Sequence, residues 1–234
     1  MNKAITDGLV LAPPAFAAGL TVWSSEDGTP GSVTYDAVPT AAFVPSDTDF
    51  AGCLELVKTD SVQRLRYTGE TPLLPGCYLR VTVRVKAISG AFPSVRIAGF
   101  AADAGGSAAG GVVTTGPPTL LGSDGEVVEV AAIIGTGART GVDMVWGDPV
   151  VFGHLGLDLT GATGGIVRID DITIEDVTSV FHRTMMDWVD VRDYGAIADG
   201  VSDCTGAFIA ANLAAAGRGI LVPEGVYSLS DNVT

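Results

Sequence analysis

Asp190, Asp193, Asp199 and Asp203 crowd together near the C-terminal end of the chain. Carboxylates in pairs are the groups that cleave glycosidic bonds. Each of these four, however, stands in a turn or helix-start context. Asp199 precedes Gly200, and Asp203 precedes the run CTGAFIAANLAAAG. Asp is favoured there because its short side chain accepts from nearby backbone N–H groups, so a structural role suits these residues. His154 and His182 are far apart in sequence, without a Ser or Cys in matching context, and read as strand-end or linker residues rather than bases. GGSAAGG at 105–111 has no Lys-Ser or Lys-Thr after it and reads as a flexible loop, not a phosphate cradle. No catalytic set emerges from these residues.

Binding chemistry is better represented. Trp23, Tyr35, Trp146 and Phe152 fall near strand ends or loops, and Asp148 follows Trp146 closely. Aromatic rings beside a carboxylate make a platform for sugar rings; the same large rings also suit core or rim packing. The Asp170–Asp171 pair offers oxygen ligands for a structural calcium, which would need several further oxygens, or else a turn facing water. No other cofactor is implied. Cys53, Cys77 and Cys204 cannot all pair within one chain and lack zinc spacing, so they read as buried thiols of a chain made in a reducing compartment.

Charge narrows the partners. The 234 residues carry 13 Lys and Arg against 27 Asp and Glu, a net charge of −14. So few cations disfavour nucleic acid and anionic membrane surfaces. Apolar residues make up 47% and charged ones 17%, too apolar for a disordered chain, and no apolar run is long enough to span a bilayer. At the N-terminus, Asp7 and Pro13-Pro14 interrupt the apolar stretch that a secretory signal requires. Residues 1–18 therefore read as an extended arm.

The elements that must position these groups are mostly strands. Expected strands are 20–23, 53–57, 62–67, 78–87, 94–100, 127–134, 141–146, 155–159 and 166–175. In the run 78–86, Arg80, Thr82, Arg84 and Lys86 point one way and Leu79, Val81, Val83 and Val85 the other. Such alternation describes a sheet with one wet face and one buried face. Residues 19–177 thus predict an antiparallel β-sandwich, with a junction at 178–187. Past it, about 203–216 predicts a helix, with Phe208, Ala211 and Ala215 on one face and Gly217 as its stop.

Residues 188–230, WVDVRDYGAIADGVSDCTGAFIAANLAAAGRGILVPEGVYSLS, resemble the opening of pectate-lyase-superfamily right-handed parallel β-helices. These are shared with glycoside-hydrolase-28-related enzymes and many phage tailspikes. The shared elements fall on Val191, Asp193, Tyr194, Gly195 and Ala196; on Asp199, Gly200, Ser202 and Asp203; and on Gly219, Leu221, Val222, Pro223, Gly225 and Tyr227. Cys204 departs from the pattern, where the family commonly has a second Asp. A capping helix bearing Phe208 covers the first rung of such a stack, and Pro223-Glu224-Gly225 makes a corner between rungs. Upstream, CLELVKTDSVQRLRYTGETPLLPGCYLRVTVRVKAISGAFPSVRI and IVRIDDITIEDV resemble carbohydrate-binding-module-like jelly rolls.

Together the resemblances imply an all-β chain: a jelly-roll-like sandwich over 19–177, then the helix-capped start of a β-helix over 188–234. They imply a virion-associated spike or fibre of a phage or gene transfer agent, synthesised in the bacterial cytoplasm and displayed on the particle. Its partners would be other virion structural proteins, through the arm or sandwich, and host capsular polysaccharide. Spikes of this kind are usually trimers. The alternative is the N-terminal portion of a secreted polysaccharide lyase or glycoside hydrolase, whose activity would lie in downstream coils. Stacked folds need about three units to bury a core, so further coils or neighbouring subunits are expected to cover the open rung.

Overall fold

A computed structural model describes residues 11, 13–147, 149–185 and 188–233. The chain divides into two units, 1–178 and 179–234.

The first unit is a two-sheet sandwich of thirteen strands: β1 Trp23–Ser24, β2 Ala41–Val44, β3 Cys53–Val57, β4 Val62–Tyr67, β5 Thr71–Pro72, β6 Tyr78–Ser89, β7 Ser94–Ala102, β8 Thr119–Leu120, β9 Val127–Gly135, β10 Met144–Val145, β11 Phe152–Thr160, β12 Ile166–Ile169 and β13 Thr173–Asp176. One sheet runs β1-β4-β11-β7-β8, with β5 also on β11. The other runs β10-β9-β6-β12-β3-β2, with β13 also on β6. All pairs are antiparallel except β10 with β9.

Alternation does what the sequence predicts on β6. Leu79, Val81, Val83 and Val85 enter the core between the sheets, where they meet Leu65, Ile97, Leu155 and Leu157 from the opposite layer. Arg80 and Arg84 face outward and pair across strands with Glu175 at 3.7 Å and Asp170 at 2.6 Å. Lys86, on the same outward face, is buried because its ammonium donates to Asp47, Thr48 and Asp49 at 2.6–2.9 Å. The strand expected over 166–175 is two strands, interrupted at Asp170, whose Oδ1 accepts from the Asp171 N–H at 3.0 Å.

Partners are visible for part of the expected arm and for the expected calcium pair. Of the arm over 1–18, residues 1–10 and 12 lie outside the described residues, and Phe16 already belongs to the sandwich. Its ring is 1% exposed and packs 4.7 Å from Trp23, and its N–H donates to Asp171 Oδ1 at 2.8 Å. Burying a Phe ring is worth about 1.5–3 kcal/mol, which favours docking this segment over leaving it free. The calcium pair is otherwise engaged: Arg84 donates to Asp170 Oδ2 through Nε and Nη2 at 3.0 and 2.6 Å, and Asp171 holds Phe16. Among the described residues, no group of three or more His, Cys, Asp or Glu is placed to hold a metal ion. All three cysteines are buried, and burial pushes the Cys53 thiol above its ordinary value.

The described residues of the second unit form two parallel strand pairs and two helices. After α1 Thr178–Met185, which begins at the unit boundary, β14 Trp188–Asp190 pairs with β16 Gly219–Leu221, and β15 Asp199–Asp203 pairs with β17 Val226–Ser228. Between them, α2 Thr205–Ala215 buries Ala211 and Ala215 against Val189, Val191 and Ala196, with Phe208 packed alongside and edge-on to Tyr227. Cys204 holds the N-cap position, while Asp203 accepts from the Thr205 N–H and hydroxyl at 3.0 and 2.6 Å and from the Ser230 hydroxyl at 2.7 Å. Asp193 lies in a short 3-10 turn, Val191–Tyr194. Gly200 adopts φ 71°, and at Gly225, after Pro223, a Cβ would stand 2.4 Å from the Ala198 Cβ.

The Asp199 carboxylate accepts from the Ser202 hydroxyl at 2.6 Å and from the N–H groups of Val201 and Ser202 at 2.8 Å each. The Ser202 hydroxyl is the largest influence holding Asp199 at about 2, below the ordinary 3.8. The unfolded chain therefore takes up the proton first, and the stabilisation present above 3.8 is lost as pH falls through about 2. The melting-temperature gap between wild type and Asp199→Asn should be open near neutral pH and close across that window. A gap independent of pH would contradict this.

Candidate binding cleft

The outward positions of the first sheet gather polar and aromatic side chains into rows. Arg64 on β4 and Arg96 on β7 stand directly opposite Asp158 on β11. One step along, Gly156 lies between Arg66 and Ala98, and the next row pairs His154 with Phe100. Period-two alternation puts Leu155, Leu157 and Leu159 inward and leaves Phe152, His154 and Asp158 on the outer face.

Electrostatics lock the first row. Asp158 Oδ1 accepts from Arg66 Nη2 at 2.5 Å, and Oδ2 accepts from Arg96 Nε and Nη2 at 3.2 and 3.0 Å. Arg66 Nη1 also donates to the Leu157 and Leu65 carbonyls at 2.5 and 3.1 Å. The Arg66 and Asp158 side chains are each 4% exposed. Burial lowers the proton affinity of Arg66, and the Asp158 carboxylate opposes that shift. Arg64 lies at the rim, 46% exposed, with Nη1 3.3 Å from Asp27.

Two loops raise walls beside this floor. Residues 24–34 are held by the Ser24 hydroxyl donating to the Val33 carbonyl at 3.0 Å and by Glu26 accepting the Val33 N–H at 2.9 Å. Gly28, at φ 84°, rests on His154 and Arg66 so closely that a Cβ would stand 2.9 Å from the His154 Cβ. Residues 103–116 run beside β7, held by Gly99 N–H to Thr114 carbonyl at 3.0 Å and Gly116 N–H to Ile97 carbonyl at 2.8 Å. The GGSAAGG stretch is thus part of a pinned wall, where Asp103 accepts from Gly105 and Ser107 N–H groups at 2.8 and 2.9 Å.

Two open compartments lie along this face. The larger, about 420 Å³, is lined by Asp27, Arg64, Arg66, Arg96, Phe100, Thr114, Thr115 and Asp158 among others. The smaller, about 370 Å³, is lined by Thr29, Pro30, Glu70, Phe152 and His154 with the 104–106 backbone. His154 is edge-on to Phe152 at 5.8 Å and 6.2 Å from Phe100. Its Nδ1 is buried, with no hydrogen-bond partner among the described residues. Volumes of this size fall in the range of ligand sites. Both oxygens of Asp158 are held by guanidinia.

Of the expected sugar-platform residues among those described, Phe152 alone is in this cleft. Trp23, Tyr35 and Trp146 are 0%, 1% and 1% exposed, inside the core, where no sugar can stack on them. Their polar ends explain two of the placements. The Tyr35 hydroxyl donates to the Arg64 carbonyl and accepts from Gln63 at 3.1 Å, and burial pushes it up to about 12. The Trp146 indole donates to the Val113 carbonyl at 3.1 Å. Asp148 lies outside the described residues. Sequence reasoning missed Arg64, Arg66, Arg96, Phe100, His154 and Asp158. The available signal was Asp158 and His154 interrupting an apolar strand, VFGHLGLDLT.

No protein-family model matches this sequence, and no curated protein matches it. Among solved structures, the chain is similar to the CBM22-1 xylan-binding domain from Paenibacillus barcinonensis Xyn10C, at 12% identity over 72% of this chain and 94% of that one, TM-score 0.49. It is also similar to a xylan-binding domain from CBM 22, at 13% identity over 74% and 98%, TM-score 0.47. A third similar structure is the enzymatically active domain of bacteriophage CBA120 tailspike protein 4, at 11% identity over 71% of this chain and 22% of that one, TM-score 0.43.

Proposed function

We propose that the outer-face cleft of the first unit binds polysaccharide. The observation that carries this reading is the larger compartment itself, in which the half-buried Phe100 ring lies beside a row of guanidinium and carboxylate groups. Sugars present apolar C–H faces and rims of hydroxyls. A ring takes the first, and charged forks with threonine hydroxyls take the second. The smaller compartment repeats the arrangement with Phe152 and Glu70. Phe100→Ala should lower polysaccharide affinity about tenfold while melting within a few degrees of wild type. Affinity gel electrophoresis reads the first and thermal unfolding the second. Unchanged mobility of the variant in every retarding gel would remove Phe100 from the site.

We further propose that the second unit opens a right-handed β-helix and that the protein is a spike or fibre displayed on a phage-like particle. Its support is the pair of parallel strand ladders joined through α2, which leave the strand residues Val201 and Val226 at 83% and 67% exposure. Apolar side chains so exposed suit a rung that is stacked upon. Antibody to the full chain should label particles released by the producing bacterium. Label confined to the soluble fraction would overturn the particle role without touching the cleft.

A further inference from the structure

We infer that the larger compartment selects a carboxylate-bearing sugar, a uronate unit of an acidic polysaccharide. This rests on the polysaccharide reading above and names the chemistry it recognises. The protein as a whole is strongly acidic, with 13 cationic side chains against 27 anionic. Three of those cations, Arg64, Arg66 and Arg96, line this one space, against two carboxylates, Asp27 and Asp158. The excess is therefore positive where the rest of the molecule repels anions.

The donors are also positioned for an incoming anion. Arg66 is consumed by Asp158 and two carbonyls. Arg96 spends Nε and Nη2 on Asp158, which fixes its plane and leaves Nη1 without a hydrogen-bond partner among the described residues, on a side chain 29% exposed. Arg64 stands across the same row with one contact, to Asp27. The open Nη1 of Arg96 and the rim guanidinium of Arg64 each offer a charged donor, which pairs more strongly with a carboxylate oxygen than with a neutral hydroxyl. Glu70 lies in the smaller compartment, which places the acidic sugar on the Arg64 and Arg96 side.

The test uses the full-length protein on a surface carrying polygalacturonate, alginate and hyaluronan, each intact and after chemical reduction of its carboxyls to alcohols. Neutral arabinoxylan and galactan, and the sulfated polyanion dextran sulfate, are printed beside them. Binding to at least one intact uronate polymer is expected, falling at least about tenfold on carboxyl reduction and again in Arg64→Gln, with partial recovery in Arg64→Lys. Arg64 is exposed, and an unchanged melting temperature would show that the variant is folded. Equal binding before and after reduction, or binding to the neutral polymers alone, would overturn the acidic specificity and leave the polysaccharide reading standing. Dextran sulfate binding as tightly as the uronates would reduce the effect to general charge attraction and also overturn it. Binding to none of these polymers would overturn both readings.

Discussion

Asp158→Asn is expected to destabilise the first unit by about 3–5 kcal/mol, because it leaves a buried guanidinium without its counter-charge. Arg66 is 4% exposed and reaches Asp158 at 2.5 Å, while Arg96 holds the other oxygen. Asparagine keeps one acceptor but no charge, and its amide N–H groups would face one of the two donors. The neighbouring backbone cannot relax to help. Gly156, between Arg66 and Ala98 in the ladder, is so tightly placed that a Cβ there would stand 1.9 Å from the Leu65 carbonyl oxygen. Removing both members of the pair is a different matter: Arg66→Met with Asp158→Leu should recover most of the loss, since an apolar pair of similar volume carries no desolvation cost. Urea unfolding followed by tryptophan fluorescence measures all three proteins. A loss under about 1 kcal/mol for Asp158→Asn would show that the row is solvated and interchangeable, as surface pairs are.

Trp146→Ala should cost a similar amount, about 3–5 kcal/mol, for a different reason. Its ring fills the space left by two missing side chains: a Cβ at Gly153 would stand 2.3 Å from it and one at Gly99 2.9 Å. Truncation opens a cavity beneath the cleft floor, and the adjacent glycines have no atoms with which to fill it. The indole also donates to Val113, inside the 103–116 wall. Trp146 is thus a positioning residue, and its loss should weaken polysaccharide binding under conditions where the variant remains folded. Trp146→Phe separates the two roles, restoring most of the packing but not the hydrogen bond. If Trp146→Ala melts like wild type, the packing described here is wrong.

The strands were legible where alternation was strong. The expected bounds 53–57 and 62–67 coincide with β3 and β4. β2 escaped notice because AAFV buries none of its residues and shows no alternation, and two-residue strands such as β5 and β8 leave no period to read. The cleft was hidden for a topological reason. Arg64, Asp158 and Arg96 are a row only once β11 is known to lie between β4 and β7, and no local pattern encodes that order. The aromatic residues misled because a large ring near a strand end serves a core as readily as a surface. Trp23 and Trp146 pack inward, whereas the unremarked Phe100 lines the cleft. The helix expected over about 203–216 occupies 205–215, since its small-residue face and glycine stop are local signals.

The central claim, that polysaccharide is held on the outer face of the β4-β11-β7 layer, is tested most directly by hydrogen exchange of the full-length protein. The measurement compares the protein with and without a polysaccharide that retards it in gels. Peptides covering 24–34, 62–67 and 96–116 should gain protection, while those of β6, β9 and β12 on the opposite sheet should exchange unchanged. Protection confined to the opposite sheet or to residues 188–233 would place the sugar elsewhere and contradict the account.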